Sequence, residues 1–249
     1  MARPLLWTVA FIARFFPSSQ RAKFVFFLAR FLAPCLALIQ KNPVFWDRRA
    51  NLYRLFLQAM TDAGLAFSIP IQVVGLESVR SLGHLNGSIL LVSVHLAMNR
   101  LVHNALLGLN LPYSVIAGTS FRRRRGEILG DPQLESPYII ADDRHCLVLA
   151  LKRLRAGSSV VSDIDYRLPS GKKGLSNHLF QLAIKAQRPI AFFASKLLPN
   201  GLTYIEFHVP QTPTPETHNL SHYQTTFRQF MTPFTQGWLE HYPFQTPKT

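Results

Sequence analysis

A histidine at the end of an apolar run is the residue best placed to do chemistry in this chain. Gly87-Ser88-Ile89-Leu90-Leu91-Val92-Ser93-Val94 reads as a buried strand, and His95 follows it directly, ahead of a helical stretch. A side chain at a strand's end, before a helix, stands on the rim of an α/β sheet, where ligands bind. An imidazole there can take a proton from a hydroxyl. The competing role for any single histidine is burial in the core or capping of a helix. Downstream, Ser162-Asp163-Ile164-Asp165-Tyr166 closes a second apolar run. Asp163 or Asp165 is therefore placed to offer a carboxylate from a neighbouring strand end. Asn99 has a carbonyl oxygen that can orient an imidazole.

The basic residues cluster. Arg122-Arg123-Arg124-Arg125 follows Phe121 after an apolar run. It reads as a solvated loop or as a phosphate clamp, for which the guanidinium fork is suited. Lys172 and Lys173 stand between Gly171 and Gly174 ahead of a helix, where backbone N–H groups can face a phosphate. With Arg100 and Lys196 they form the candidate basic set for a phosphorylated ligand. Gly-Lys-Lys-Gly is too short for a nucleotide loop. Asp142 and Asp143 read as the cap of the helix beginning near Arg144. The nine histidines show no metal-ligand spacing, and Cys35 and Cys146 give neither a metal pair nor a disulfide framework. No metal and no cofactor is expected.

The elements that must position these groups alternate. Strands are expected over 71–74, 89–94, 113–117, 138–141, 159–162, 190–194 and 204–209. Helices are expected over 51–63, 96–109, 144–155 and 175–187, with a last helix over 221–241 interrupted around Pro233. Strand–helix–strand alternation argues for a sheet covered by helices.

Composition narrows the partners. Hydrophobic residues make up 48% of the 249 residues and charged residues 16%, with Lys+Arg 27 against Asp+Glu 13 and a net charge of +14. Such a chain has a sizeable core and a surface that attracts anions. No acidic residue precedes Asp47, while Arg3, Arg14, Arg21, Lys23, Arg30 and Lys41 are interleaved with Leu5, Leu6, Trp7, Phe11, Phe15, Phe16, Phe24, Phe26, Phe27, Phe31 and Leu32. That mixture suits helices lying in an anionic membrane interface rather than a nucleic-acid surface. The apolar stretches are interrupted by Arg14, Arg30 and Pro34, short of the roughly 20 residues of a clean span. A tilted span over 24–39 stays open. No cleaved leader is evident, so the expected location is the cytoplasmic face of a membrane.

The order of motifs carries a resemblance. Val73-Val74-Gly75-Leu76-Glu77 precedes the strand ending in His95; Asp163-Ile164-Asp165-Tyr166 and Gly171-Lys172-Lys173-Gly174 follow. Then come Pro189-Ile190-Ala191-Phe192-Phe193, Lys196, Gly201 with the run from Thr203 to Val209, and His241-Tyr242-Pro243-Phe244-Gln245. Over about residues 70–245 this resembles the lipid A late-acyltransferase branch of the lysophospholipid acyltransferase family. The resemblance implies an α/β fold with a mixed central sheet and flanking helices, glycerolipid acyltransferase-like, over 43–249. An N-terminal interfacial helical region covers 1–42. It implies transfer of a fatty acyl group from acyl carrier protein or acyl-CoA to a lipid hydroxyl or amine. The expected place is the cytoplasmic face of a bacterial inner membrane, monotopic or with one N-terminal span. His95 stands at the family's histidine, beside an expected apolar groove. The family's acid stands five residues on, and here that residue is Arg100. A guanidinium accepts no proton and, near His95, would disfavour an imidazolium. Arg100→Glu or Arg100→Asp is expected to restore the missing carboxylate and raise the rate, by orders of magnitude if this side chain faces His95. Two readings follow: an acyltransferase using His95 without the usual acid, and a silent relative that binds lipid or acyl carrier.

Overall fold

The computed structural model describes residues 2–39, 48–108, 111–117, 138–141, 145–167, 173–210, 219–235 and 238–244. Three helices come first: α1 (Ala2–Ala13), α2 (Ser18–Ile39) and α3 (Arg48–Asp62). Then follow β1 (Ile71–Val74), α4 (Leu76–Asn86), β2 (Leu90–Ser93), a 3-10 turn (Asn99–Leu101) and α5 (Val102–Leu107). Next are β3 (Tyr113–Ala117), β4 (Tyr138–Ala141), α6 (Cys146–Arg155), β5 (Ser159–Asp163), β6 (Asp165–Arg167) and β7 (Lys173–Leu175). The chain closes with α7 (His178–Ala186), β8 (Ile190–Leu197), β9 (Thr203–His208), α8 (Leu220–Thr235) and a 3-10 turn at Trp238–His241.

Seven strands form a mixed sheet in the order β1-β9-β8-β2-β5-β3-β4. Strands β8, β2, β5, β3 and β4 are mutually parallel. The β8–β9 pair is antiparallel, and β1 runs parallel to β9. Parallel central strands need cover on both faces, and β2 is buried along its whole length. Alternation divides the core in two. Leu91, Val161, Ala191 and Phe193 face α1, α2 and α3; Leu90, Val92, Val160 and Phe192 face α6, α7 and α8. Strand β8, longer than the expected 190–194, carries Ser195 and Lys196 past the end of β2.

Three expected helices change at their ends. The stretch 96–109 becomes a turn, the 3-10 segment and the short α5, because Asn99 reaches back to the Val94 carbonyl instead of continuing a helix. Leu175 belongs to β7, so α7 begins only at His178. Pro233 lies inside α8, which runs on to Thr235. The Thr232 and Thr235 hydroxyls bond the carbonyls of Arg228 and Met231, and buried Phe227 and Met231 hold this turn against the sheet.

Gly75 links β1 to α4 at φ 78°, and a Cβ there would meet the Phe207 carbonyl oxygen of β9 at 2.1 Å. Gly64 has a similar φ of 69° and no atom within 4 Å of its Cβ position. Gly64→Ala is expected to cost about 1 kcal/mol from backbone conformation alone. Gly75→Ala should cost about 3 kcal/mol or more, because β1 must part from β9. Urea denaturation of the two variants side by side checks the difference.

Candidate functional site

Three parallel strand ends build the site. Ser93 ends β2 and pairs with Asp163, the last residue of β5. The chain leaves β2 through Val94 to His95, and leaves β5 through the buried Ile164 to Asp165. The Ile164 N–H donates to the Ser93 carbonyl at 2.8 Å, which keeps the two exits side by side.

This geometry brings Asp165 onto His95. One carboxylate oxygen, Oδ1, accepts the His95 backbone N–H at 2.7 Å and lies 2.8 Å from Nδ1 of the ring. An ionised carboxylate only accepts, so Nδ1 carries a proton, and in the neutral imidazole the lone pair is then on Nε2. Nε2 lies 3.6 Å from Asp163 Oδ2, and the His95 side chain is 71% exposed against 23% and 10% for Asp163 and Asp165. The ring is thus held at Nδ1 by Asp165, with Asp163 near Nε2 and most of its surface exposed.

The two carboxyls are driven apart. Burial pushes Asp163 above the ordinary carboxylate range, and the nearby Asp165 adds to this, against the pull of His95 and Asn99. Burial alone would raise Asp165 too, but the hydrogen bonds and charge of His95 hold it below the usual value. A pair of acids split in this way is a recurring feature of acid–base sites.

Asn99 braces the strand ends rather than bonding the ring. Its Nδ2 donates to Val94 O at 2.6 Å and Ser93 Oγ at 2.9 Å, and lies 3.4 Å from Asp163 Oδ1. Its Oδ1 accepts the Ser195 hydroxyl of β8 at 2.7 Å. Sequence reasoning missed Ser93 and Ser195; the only hint is a small polar residue at each apolar strand's end.

Arg100 turns away from this group. Its guanidinium donates to the side-chain Oε1 of Gln58 on α3, and the Gln58 side-chain Nε2 donates to Asp62 at 2.8 Å. Lys196 Nζ sits 5.1 Å from the ring centres of both Tyr204 and Phe234, on the opposite sheet face from Ser195. Lys173 contributes backbone to β7 opposite Arg167. Arg122, Arg123, Arg124 and Lys172 lie outside the described residues. An apolar recess lined by Val79, Ile89, Leu91, Leu106, Leu111, Tyr113 and Ser159 opens where β2, β3 and β5 begin. That is the sheet end remote from His95, so this recess is not the groove expected beside it. Among the described residues no group of three or more His, Cys, Asp or Glu is arranged to hold a metal ion.

The split carboxyls give opposite pH responses. Asp165 is depressed on folding, so its contribution is full above its unfolded pKa and fades as pH falls through the lower folded value. Asp163 is raised, so its charged form opposes folding, increasingly as pH rises from the unfolded pKa through the folded value. Asp165→Asn should therefore cost about 1.5–3 kcal/mol at pH 7, and less as the medium is acidified. Asp163→Asn should be neutral or stabilising at pH 7, with the gain vanishing in acid. Chemical denaturation from pH 7 down to pH 3 measures both.

No protein-family model matches this chain, and no curated protein matches it.

Proposed function

We propose that this protein is an acyltransferase that moves a fatty acyl group from a thioester donor to a lipid hydroxyl or amine. Acyl carrier protein and acyl-CoA are the candidate donors. The supporting observation is Asp165 Oδ1 at 2.8 Å from His95 Nδ1, on an imidazole whose side chain is largely exposed. The acid comes from β6, not from the helix after His95. In the proposed reaction Nε2 takes the acceptor's proton while the acceptor attacks the thioester carbonyl. The new C–O or C–N bond forms, the C–S bond breaks, and the departing thiolate receives the proton from His95. Asp165 holds the imidazole in the useful tautomer and stabilises the imidazolium, as in other histidine–carboxylate pairs. Asp163 lies 3.6 Å from Nε2, and burial raises its pKa. The basic set Arg122–Arg124, Lys172 and Lys173 is proposed to hold phosphate on donor or acceptor. Arg100 is already engaged with Gln58.

The N-terminal helices are proposed to dock on an anionic membrane, at the cytoplasmic face of a bacterial inner membrane. Trp7, Phe11 and Phe15 of α1 are exposed at 62%, 58% and 76%, and Phe27 and Phe31 of α2 at 59% and 60%. Arg14, Lys23 and Arg30 are exposed among them, and no carboxylate precedes Asp47. Among the described residues no helix is long and apolar enough to cross a membrane. Aromatic rings at the headgroup level with cations beside them suit peripheral attachment. The second reading, a silent relative that binds lipid or carrier, is favoured by one observation: arginine stands where the family's acid is expected.

Transfer of a labelled acyl group to a panel of lysolipid and lipid A-like acceptors separates the two readings. His95→Ala should abolish transfer, and Asp165→Asn should slow it by about 10³–10⁴-fold. Arg100→Glu should change it by less than about threefold, because that side chain faces α3 (compare the small effect of changes away from the reacting groups). Equal inactivity of wild type and His95→Ala, with lipid or carrier binding retained, would establish the silent reading. Turnover that survives His95→Ala would exclude both.

Attachment is tested with vesicles of 30 mol% phosphatidylglycerol in phosphatidylcholine. Replacing Trp7, Phe11 and Phe15 by serine should reduce co-sedimentation at least about tenfold, since each buried aromatic is worth about 1.5–3 kcal/mol. Salt should weaken wild-type binding only in part, because apolar burial is not screened. Unchanged partitioning of the triple variant would rule out this face.

A further inference from the structure

Asp165 stands outside the main sheet. It opens β6, whose strand partner is β7 in a separate two-stranded ribbon. Two strands of three residues are marginal by themselves in water, yet Asp165 is held within hydrogen-bond distance of both the N–H and the ring of His95. Something else must steady the ribbon.

The C-terminal tail meets it at one residue. Leu175, directly across from Asp165 in the ribbon register, is fully buried. Its N–H donates to the Pro243 carbonyl at 3.0 Å, and it forms a parallel bridge with Phe244. Ser176 N–H, next in the chain, returns to the Ile164 carbonyl at 2.8 Å. The tail is in turn clamped by Arg228 of α8. Its two terminal nitrogens donate to Leu239 O at 2.9 Å and Tyr242 O at 2.7 Å, and the guanidinium carbon lies 4.7 Å from the centre of the Phe244 ring. That ring also packs on Phe180 of α7 at 5.8 Å.

We infer that Arg228 and Phe244 are positioning residues of the site, acting through Leu175 to hold Asp165 against His95. The route is short and each link is a named contact: Arg228 to the tail, the tail to Leu175, Leu175 across the ribbon to Asp165. A guanidinium fork with two carbonyls in its plane and a ring on its face is not reproduced by a lysine ammonium. The inference rests on His95–Asp165 as the working pair of the proposed enzyme, but its test does not need turnover.

The test reads the His95 imidazole by nitrogen NMR in full-length protein labelled at histidine, assigned by comparison with His95→Gln. The wild type should be predominantly the Nδ1–H tautomer. Arg228→Lys and Phe244→Ala should each lower the ratio of Nδ1–H to Nε2–H at least about fivefold, as expected when most of one charge-assisted hydrogen bond is lost. In an Asp165→Ala background neither should lower it further, since the effect passes through that carboxylate. Should Phe244→Ala fail to fold, the milder Arg228→Lys decides. An Arg228→Lys protein with native circular dichroism and an unchanged tautomer ratio would overturn the inference, as would an equal shift with Asp165 absent. An inactive wild type would instead defeat the acyltransferase reading and leave this one intact.

Discussion

A single carboxylate oxygen receiving two hydrogen bonds from one residue organises this molecule's candidate site. Asp165 Oδ1 takes both the backbone N–H and the ring Nδ1 of His95, so it fixes the path of the chain after β2 and the orientation of the imidazole together. Charge-assisted bonds of this kind are stronger than neutral ones. The arrangement demands that β2 and β5 end level with each other, because His95 and Asp165 each leave a strand two residues past the Ser93–Asp163 pair. Parallel pairing in register supplies that, and the Ile164-to-Ser93 bond carries it beyond the strands. Asp163 then inherits its position. It lies in front of Nε2, with burial raising its pKa, while its partner acid stays ionised.

The polar cluster behind the site is costly unless it is satisfied. Ser93, Ser195 and Asn99 are buried at the ends of the central strands, and the Asn99 carboxamide connects β2, β5 and β8. This explains why the chain abandons a regular helix after His95. A 3-10 turn places the Asn99 side chain back over the strand ends, and the next residue, Arg100, is carried round to α3. Asn99 and Arg100 are neighbours in sequence with opposite directions in space: one serves the site, the other ties the first helices to the segment beside it.

Helices α1 and α2 have two sides with different fates. Val9, Ala13, Val25 and Ala29 are buried in the same cluster as one face of the sheet. Their small size lets the helices lie close, and Gly201 in the β8–β9 turn meets the Phe26 ring of α2 at 3.0 Å from where a Cβ would be. The opposite side carries the exposed aromatic residues and cations. The inner side therefore couples the outer side to the end of the sheet at which β8 finishes, which is also the end bearing His95. The exposed aromatic and basic surface proposed for attachment is thus joined to the site by packing.

Sequence periodicity and punctuation alone determined the seven sheet strands; those over 71–74, 113–117 and 138–141 have the bounds read from apolar runs. They also determined that His95 stands at a strand's end and that Asp163 and Asp165 stand at another, since apolar runs of four or five residues bounded by polar ones are local facts. Strands β6 and β7 were not legible, because three residues each are too short to show a hydrophobic period; pairing partners define them. Which acid serves His95 was beyond local reasoning for the same reason. Spacing suggested the position of Arg100, but a 3-10 turn rotates side chains differently from an α-helix. The carboxylate came from Asp165, 70 residues along the chain, and Arg100 found Gln58, 42 residues back. The sequence could name the groups able to do chemistry because residue type and local pattern travel with the chain. Their partners were decided by strand register and by the tail that pins the ribbon, and such contacts exist only once distant segments are packed together.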